Sequence, residues 1–505
     1  MKKRIVKSRF KRFMASVMSA VLMMSTVLVA LPDMTIGSYA DEIADKTITG
    51  LGTGAIKIPT PGDTEGLTGW TGSYVYYGTF DSDSDPSTQV VPVRYRVLAA
   101  DTTDFSADVE EGQEKVHTML LDCDSLLKYK RFDNDGSPND GATNANEWAY
   151  SDIKTYLNGD FMSNYSASEQ AAIAVSSKAS PSSSDGKGWV SGSTDYLPWT
   201  ALNNSEKIFL LDAKEATNTS YGYEDKDTSS NTRKKNMIGT TDADWWWLRS
   251  PHCFDTSDAG NVDTSGDISS FIVKNGRTAV SPAFNINLSS VIFTSVISGT
   301  AGSAGAEYKL TVADSNLGIA VTDGSNVTRS GNTITVPYTI TGTNAGNATQ
   351  VSVLITDSAY SAGTAATSGY TYQKLSVDTW SESGTGTFTL PDAYADKTCG
   401  TDYYAYILAE DVNGTYETDY ASVPAAITIT NTAEVTTVPV AASGWTYDGA
   451  EHGLIATAGI ASNGTVKYAV RTDNTAPADS EYTYTDASAI KGKNTGTYKI
   501  WYKAF

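Results

Sequence analysis

Three consecutive tryptophans, at positions 245–247, are followed by Leu248-Arg249-Ser250-Pro251. So large an apolar area is rarely left open to water, so the run predicts either the centre of a domain core or a ligand-binding surface. In a strand, Trp245, Trp247 and Arg249 would face one side, and Trp246 the other. Strands that are apolar on both faces usually lie inside sheets, so the pattern favours the core.

Arg249 carries a fixed charge beside these rings. A guanidinium in a core needs a carboxylate partner, because a lone buried charge is costly. We expect an internal anchor that pairs with an acid such as Glu147 or Asp152, rather than a substrate clamp. The predicted structural core is therefore Trp245, Trp246, Trp247 and Arg249.

The first 40 residues have the pattern of a secretory signal peptide. A run of basic residues precedes an uncharged apolar stretch at 13–31, and a small-x-small sequence follows at 38–40. An uncleaved anchor is the alternative, since this stretch nearly reaches the roughly 20 residues that a membrane span needs. We expect the segment 1–40 to be cleaved and the mature chain to be extracellular, either at the cell surface or secreted.

The chain is strongly acidic, with 58 Asp and Glu against 37 Lys and Arg, a net charge of −21. Residues 1–40 hold seven of the basic residues and one of the acidic ones, so the remainder has a net charge of −27. Such a chain would repel the phosphates of nucleic acid and of anionic lipid. We therefore expect no nucleic-acid partner and, after signal cleavage, no membrane contact.

The three cysteines, Cys123, Cys253 and Cys399, are too few for a disulfide framework. One bridge between Cys123 and Cys253 stays open as an alternative to three thiols, because sequence does not supply the geometry of the bond. The fold must rest on hydrophobic cores, and two to four domains are expected at this length.

Residues 44–295 are predicted to form a first domain of mixed α+β type. Ser151 is placed to cap one short helix, and Ser166-Ala167-Ser168-Glu169 is a capping box before a second. Long stretches rich in Gly, Ser, Asp and Asn predict large loops between the elements. Strands are predicted at 74–77, 90–98, 119–121, 207–211 and 270–273.

The rest of the chain is predicted to be all-β. The small-residue stretch 298–305 is typical of a linker, and residues 306–431 contain short strands of period two that favour a β-sandwich. A second linker at 430–443 leads into a short β module at 440–505. No wall-sorting motif follows it, so either the array of repeats is truncated here or the protein is released or held by other means.

Two acidic stretches resemble calcium loops. Residues 81–85 and 133–137 alternate oxygen ligands, but Pro92 and Asn144 stand where a bidentate Glu belongs. Solvated loops are the preferred interpretation, and no metal ligand is predicted.

Signatures of catalysis are scarce. The three histidines have no zinc spacing, and the chain lacks a Gly-x-Ser-x-Gly elbow and a phosphate-binding loop. His252-Cys253 has no third partner placed by the sequence, so an incidental loop pair is preferred to a nucleophile with its base. We expect no catalytic residues, no cofactor and no enzyme activity.

Four motifs follow one another in the first predicted domain: an opening motif in two stretches, 77–80 and 92–98, a helix at 148–158, and two closing motifs at 246–251 and 280–286. In this order they resemble a domain of unknown function common in Gram-positive surface proteins. The resemblance implies a C-type-lectin-like fold, shared with formylglycine-generating-enzyme relatives, with a small twisted sheet, two helices and long loops. Residues 306–431 resemble the immunoglobulin-like module that often follows this domain, and 440–505 resemble one repeat of a bacterial surface immunoglobulin-like array.

The chain departs from that family at two positions. Ser281 stands where the family usually has Arg, and His252 where it usually has Gly. An internal charge contact is therefore expected to be missing. The calcium-dependent sugar motifs and copper cysteines of related folds are also absent, so the resemblance implies neither sugar specificity nor catalysis.

The sequence thus predicts a multi-domain protein, with an α+β C-type-lectin-like head followed by all-β immunoglobulin-like sandwiches. We expect an exported, adhesin-like and non-catalytic protein that binds an extracellular glycan, protein or envelope polymer. A carbohydrate-active accessory enzyme and a passive stalk with no ligand are the alternatives. Loops carry recognition in such heads, and the polar loop 252–269 is the expected contact surface. Its expected ligand-binding residues are His252, Asp255, Asp258, Asn261 and Asp263.

Overall fold

The computed structural model describes residues 46–60, 70–81, 90–106, 114–178, 197, 200–322, 327–395, 397–430, 435–461 and 465–505. The chain divides into two compact units. The first unit runs to Ser315 and also takes in 361–368 and 410–423, and the second holds the remaining residues from Asn316 to Phe505. The predicted signal peptide and residues 82–85 of the first acidic loop lie outside the described residues, so these two remain predictions.

Strands make up most of the regular structure. The first unit begins with β1 Gly50–Leu51, β2 Tyr74–Phe80, β3 Val91–Thr102, β4 Thr118–Cys123, β5 Ser176–Lys178, β6 Leu202–Glu206, β7 Ile208–Phe209, β8 Trp246–Pro251, β9 Asp258–Val262, β10 Ile268–Ile272, β11 Ala283–Asn287, β12 Val291–Ser298 and β13 Glu307–Ala313. There follow β14 Gly318–Val321, β15 Thr328–Ser330, β16 Thr333–Thr341, β17 Gln350–Thr356, β18 Tyr370–Lys374, β19 Ser383–Thr389, β20 Tyr404–Asp411, β21 Asp419–Ala421 and β22 Ala425–Ile427. The chain ends with β23 Val435–Thr437, β24 Val440–Ala441, β25 His452–Gly453, β26 Ile455–Thr457, β27 Ile460–Ala461, β28 Val466–Arg471, β29 Lys491–Gly492 and β30 Lys499–Ala504.

Helices are short throughout the described ranges. α1 (Asp152–Tyr156) begins at Ser151, whose Oγ accepts the amide hydrogen of Lys154 at 3.3 Å, and a π-helical turn follows it at Leu157–Phe161. α2 (Ala167–Ala172) begins with the capping box of Ser166. Both predicted helix starts are confirmed. Single 3-10 turns lie at Trp148–Tyr150, Met162–Asn164, Glu215–Thr217, Thr219–Tyr221, Leu288–Ser290, Ala345–Asn347, Asp392–Tyr394, Asp479–Glu481 and Ala487–Ala489.

One sheet organises the first unit. Antiparallel neighbours run in the order β2-β3-β4-β11-β7. β13 pairs in parallel with β2 and with β21, and it forms an antiparallel hairpin with β12, which in turn pairs with β1. The sheet of the first unit is thus completed by β21, a strand from much later in the chain.

The tryptophan run lies in a small sheet of the first unit, in which β9 pairs with both β8 and β10. Trp246 and Trp247 are fully buried. Trp245 lies just before β8 and is half-buried, with its ring edge-on to Phe271 at 5.4 Å between centroids. The segment 252–269 is therefore not a loop, because it contains β9 and the start of β10.

The domain boundaries differ from the predicted ones. The segment 298–305 is the turn of the β12–β13 hairpin, where Gly299, Gly302 and Gly305 all have positive φ. Small residues are as common in such a turn as in a linker, so composition alone wrongly predicted a linker at 298–305. The first unit continues to Ser315 instead of ending at 295. Within the second predicted linker, β23 and β24 are strands.

The described residues of the second unit form two separate hydrophobic cores. The first lies among β14, β15, β16 and β19 in one sheet and β17, β18, β20 and β22 in another, and alternate residues of β16 from Ile334 to Ile340 are buried in it. The other belongs to residues 435–505, here called the C-terminal module. It is small, and Val466, Tyr468 and Ile490 are its buried members.

The protein is thus multi-domain and β-rich, with few helices. Within the described ranges, none of the helices has the length and apolar character required to cross a bilayer.

Candidate functional site

Arg249 anchors a buried ion-pair cluster in the first unit. Its Nη2 lies 2.9 Å from Asp212 Oδ2, and its Nη1 lies 2.5 Å from Glu215 Oε2. Lys178 Nζ also contacts Glu215, at 2.6 Å. Burial would raise the pKa of Glu215, but the two cations lower it to about 2. The carboxylate of Glu215 therefore stays ionised and fixes the guanidinium of Arg249, which belongs to the tryptophan strand β8.

The predicted partners of Arg249 are wrong. Glu147 Oε1 instead accepts the backbone amides of Thr143 and Asn144, at 2.9 and 2.8 Å. Asp152 Oδ2 accepts the amide of Asn134 at 2.8 Å. Both acids brace local turns, so neither is available to a core arginine.

A second group of charges forms an open pocket of about 250 Å³ in the first unit. We call it the cationic pocket. Four basic side chains and one carboxylate line it, together with the loop 236–240. The charged members are Arg94, Arg96, Lys234, Lys235 and Asp124.

Two arginines form one wall of the cationic pocket. Arg94 and Arg96 alternate along β3, so both side chains leave the same face of the strand. The guanidinium of Arg94 lies 4.4 Å from the ring centroid of Tyr74, and that of Arg96 lies 5.1 Å from the ring of Trp70. These stacks fix the guanidinium planes before any ligand arrives.

Asp124 joins the two arginines. Its Oδ2 lies 2.6 Å from Arg94 Nη2, and its Oδ1 lies 2.6 Å from Arg96 Nε. Burial would raise the pKa of Asp124, but Arg96 and Arg94 outweigh it and hold the pKa below the ordinary 3.8. The side chain of Arg94 is still 37% exposed, so its guanidinium remains open to a ligand.

Lys235 forms the floor of the cationic pocket and is fully buried. Its Nζ lies 4.4 Å from the ring centroid of Trp246 and donates to Asp122 Oδ2 at 2.5 Å and to Ser281 Oγ at 2.7 Å. Burial and the positive charge of Arg96 lower the pKa of Lys235, and together they outweigh the negative charge of Asp122, which raises it. Ser281 thus lies beside an internal ion pair, that of Lys235 with Asp122.

The charges of the cationic pocket do not cancel. Asp122 and Glu307 contact Lys235 and Arg94 from outside the lining, so four cations face three carboxylates. Lys234 is exposed and carries the excess positive charge at the mouth. Arginine and lysine here can hold one carboxylate, phosphate or sulfate group by charge-assisted hydrogen bonds.

The five predicted ligand residues do not converge on one site. His252, Asp255 and Asp258 lie at one end of β9 and Asp263 at the other, about 16 Å away at the rise of a strand. Asn261 lies between them and is fully buried, and its side-chain amide has no hydrogen-bond partner among the residues that the structure describes.

The carboxylates of this hairpin are largely used to brace their own turns. Asp255 Oδ1 accepts from the amide and hydroxyl of Ser257, at 3.0 and 2.6 Å. Asp263 Oδ1 accepts the amides of Ser265 and Asp267, at 2.8 and 2.9 Å. The feature of the hairpin that is open to a partner is Phe254, which is 78% exposed.

The cysteines and the second acidic loop were singled out by the sequence, and the structure describes both. Cys123 and Cys253 do not pair: all three cysteines of the chain are described, and each is a thiol. Asp133 of the second acidic loop accepts the amides of Asp135 and Gly136 at 3.2 and 2.7 Å, which closes the loop on itself. Among the described residues, no three His, Cys, Asp or Glu side chains are grouped as a metal site would need.

Sequence reasoning missed the cationic pocket, although two signals were present. Arg94-Tyr95-Arg96 places two cations on one face of a predicted strand, and Arg233-Lys234-Lys235 is a basic run in an acidic chain. What the sequence could not supply was their juxtaposition, because more than a hundred residues separate them.

Residues 117–288 match the model of a protein family described as Domain of unknown function (DUF6273). This match covers the floor of the cationic pocket and the tryptophan strand, while Arg94 and Arg96 lie outside it. No curated protein matches the chain. No solved structure matches it either.

Proposed function

We propose that this chain is an exported bacterial surface or secreted protein, non-catalytic, that binds a glycan, protein or envelope polymer through its first unit. The ligand presents an anionic group, which enters the cationic pocket. The observation that carries the proposal is a pocket lined by four basic side chains, of which Arg94 and Lys234 reach solvent, in a chain of net charge −21.

The overall acidity of the chain does not oppose such a ligand. Charges further apart than about 8 Å are largely screened at physiological salt, so the nearby guanidinium dominates over distant carboxylates. A polyanion with closely spaced phosphates, such as nucleic acid, would extend beyond the pocket onto the acidic surface. The arrangement therefore favours a polymer with separated carboxylate, phosphate or sulfate groups.

We further propose that the first unit has a C-type-lectin-like fold and that the strands from β14 onward form immunoglobulin-like modules. The motifs that resemble the Gram-positive surface family support the first assignment, as do two short helices beside one sheet. Two sheets around one core support the second.

The tip of the β8–β9 connection is a second contact surface for the same function. Phe254 is 78% exposed there, beside the exposed Asp255. An exposed aromatic ring on a turn is suited to a protein partner, because aromatic residues are enriched at the centres of such interfaces.

The test is binding of the full chain to an array of matched neutral and acidic glycans. Lys234→Glu reverses the charge at the mouth and should weaken binding of acidic glycans at least tenfold, about 1.4 kcal/mol. Binding by the unaltered chain should also weaken between 50 and 300 mM salt, because the contact is ionic.

Lys274→Glu is the matched control, since Lys274 is exposed, lies in the first unit and does not line the pocket. Acidic glycans that bind equally to both variants would contradict the proposal. Turnover of a polysaccharide would establish the enzyme instead, and no binding to any glycan or host protein would leave a passive stalk.

A further inference from the structure

The C-terminal module contains a cleft of about 530 Å³. Two segments, 441–447 and 492–500, form its walls, and His452 and Leu454 lie between them. Its volume is within the range of about 300–1,000 Å³ that is typical of small-ligand sites. The cleft is independent of the cationic pocket, because all of its residues belong to the second unit.

Exposed aromatic rings line one wall of the cleft. Trp445 is 57% exposed and Tyr447 is 66% exposed. Large aromatic side chains contribute much of the binding free energy where they are desolvated by a partner, and leaving two of them in water is costly for so small a module.

The Trp445 ring is held in place rather than left mobile. It stacks on the imidazole of His452, with 4.3 Å between ring centroids and an angle of 26° between the planes. His452 Nε2 is in turn hydrogen-bonded to Asp448 Oδ1 at 2.8 Å. A fixed ring loses little conformational entropy when a ligand stacks on it.

The other wall is built around Tyr498. A Cβ at Gly492 would lie 3.0 Å from this ring, so glycine lets the ring approach the backbone closely. The Tyr498 hydroxyl accepts the amide of Asn494 at 3.3 Å and donates to its carbonyl at 3.2 Å. Two further polar residues, Thr495 and Thr497, line the cleft beside them.

The lining of the cleft is almost free of charge. Among the described residues that line the cleft, Lys493 is the one permanently charged side chain, and none is Asp or Glu. The whole chain, by contrast, has 95 charged residues of 505. A ligand that matches this lining is neutral, with flat apolar faces for the rings and hydroxyl groups for the rim.

We propose that this cleft binds a neutral saccharide. A pyranose ring has an apolar C–H face that stacks on Trp445 and Tyr447, and equatorial hydroxyl groups that bond with Asn494, Thr495 and Thr497. Binding of this kind would give the protein a second contact with a glycan, through chemistry unlike that of the cationic pocket.

The experiment is titration of the full chain with soluble neutral oligosaccharides of the β-glucan, chitin and mannan series, followed by calorimetry and tryptophan fluorescence. Binding to at least one series is expected. Trp445→Ala and Tyr447→Ala should each weaken it at least tenfold while leaving the melting temperature unchanged. Trp380→Ala is the matched control, since Trp380 is an exposed tryptophan of the second unit outside the cleft.

Three outcomes would overturn the proposal: no neutral oligosaccharide bound, binding unaffected by both cleft variants, or binding of tetramethylammonium in the cleft in place of sugars. Lys234→Glu should not change the neutral-sugar affinity. Absence of acidic-glycan binding alone would therefore contradict the function proposed for the cationic pocket. Absence of neutral-sugar binding alone would contradict the function proposed for the cleft.

Discussion

The first unit and the C-terminal module use tryptophan in opposite ways. In the first unit, Trp246 is fully buried and its ring lies under Lys235, whereas in the C-terminal module Trp445 is more than half exposed and rests on His452. A large core can enclose rings and charges together, since buried Lys235 and Arg249 there each meet a carboxylate. A core as small as that of the C-terminal module cannot, so its aromatic surface remains available to a ligand.

The sharpest test of this comparison is one substitution in each region. Trp246→Ala should lower the free energy of unfolding of the first unit by about 4 to 5 kcal/mol, since it leaves a cavity and removes the ring beneath Lys235. Trp445→Ala should change stability by less than about 0.5 kcal/mol. Chemical denaturation of both variants measures the difference, and equal losses would contradict the comparison.

The buried charges of the first unit provide the next test. Arg249→Ala leaves Asp212 and Glu215 without their buried cation and should cost about 3 to 4 kcal/mol. The melting temperature should fall by several degrees. Arg277→Ala is the control, because Arg277 is exposed in the same unit and should leave the melting temperature unchanged.

The cationic pocket should respond to acid. Because Asp124 has a lowered pKa, the folded state holds fewer protons than the unfolded state as pH falls below about 4. Its stabilising contribution is complete above the ordinary pKa of 3.8 and is lost as pH falls through the lower folded-state pKa. Asp124→Asn should cost about 2 to 3 kcal/mol at pH 7, and less toward pH 2.

Urea denaturation at a series of pH values checks this slope. Asp140→Asn, at an exposed acid of the same unit, should run parallel to the unaltered chain at every pH. A gap between Asp124→Asn and the unaltered chain that stayed constant down to pH 2 would show that the ion pairs with Arg94 and Arg96 do not set the acid response.

The smallest expected effect concerns the thiols and leaves the fold intact. Burial raises the pKa of Cys123 to about 12, so its reactive thiolate is scarce, whereas Cys253 is exposed. A maleimide should label Cys253 at least a hundredfold faster than Cys123 under native conditions. Peptide mass mapping gives the two rates, and Cys123 should react only when the first unit unfolds.

Local patterns were readable from the sequence where chemistry between near neighbours decides the structure. The Ser151 cap, the capping box at Ser166 and the strand at Thr333–Thr341 all follow from residues within a few positions of each other. Partners that lie far apart were not readable. Asp212 and Glu215 lie just before and in a single 3-10 turn, outside the strands and longer helices. Their sequence has no periodicity that would indicate a contact with Arg249.

The candidate sites show the same limit. The segment 252–269 was predicted as a loop from its polar composition, yet Ala259 and Val262 are buried in β9. β9 is buried on both faces from Ala259 to Val262, so it has no period-two pattern, and its Asp, Gly and Asn are depleted in most strands. The cationic pocket joins the stretches around Arg94 and Lys235, which are far apart in the sequence and meet only in the folded chain. The cleft of the C-terminal module likewise depends on which aromatic rings the fold leaves exposed.

The place of β21 in the first unit bears on the order in which this chain leaves the ribosome. β21, and the acids Glu410 and Asp419 that contact Lys46, are synthesised about a hundred residues after β13. At about 5–20 residues per second, the part of the parallel edge of β13 at 311–313, which β2 does not cover, stays unpaired for roughly 5 to 20 seconds. During that interval a chaperone would meet an open strand edge that the finished protein no longer presents.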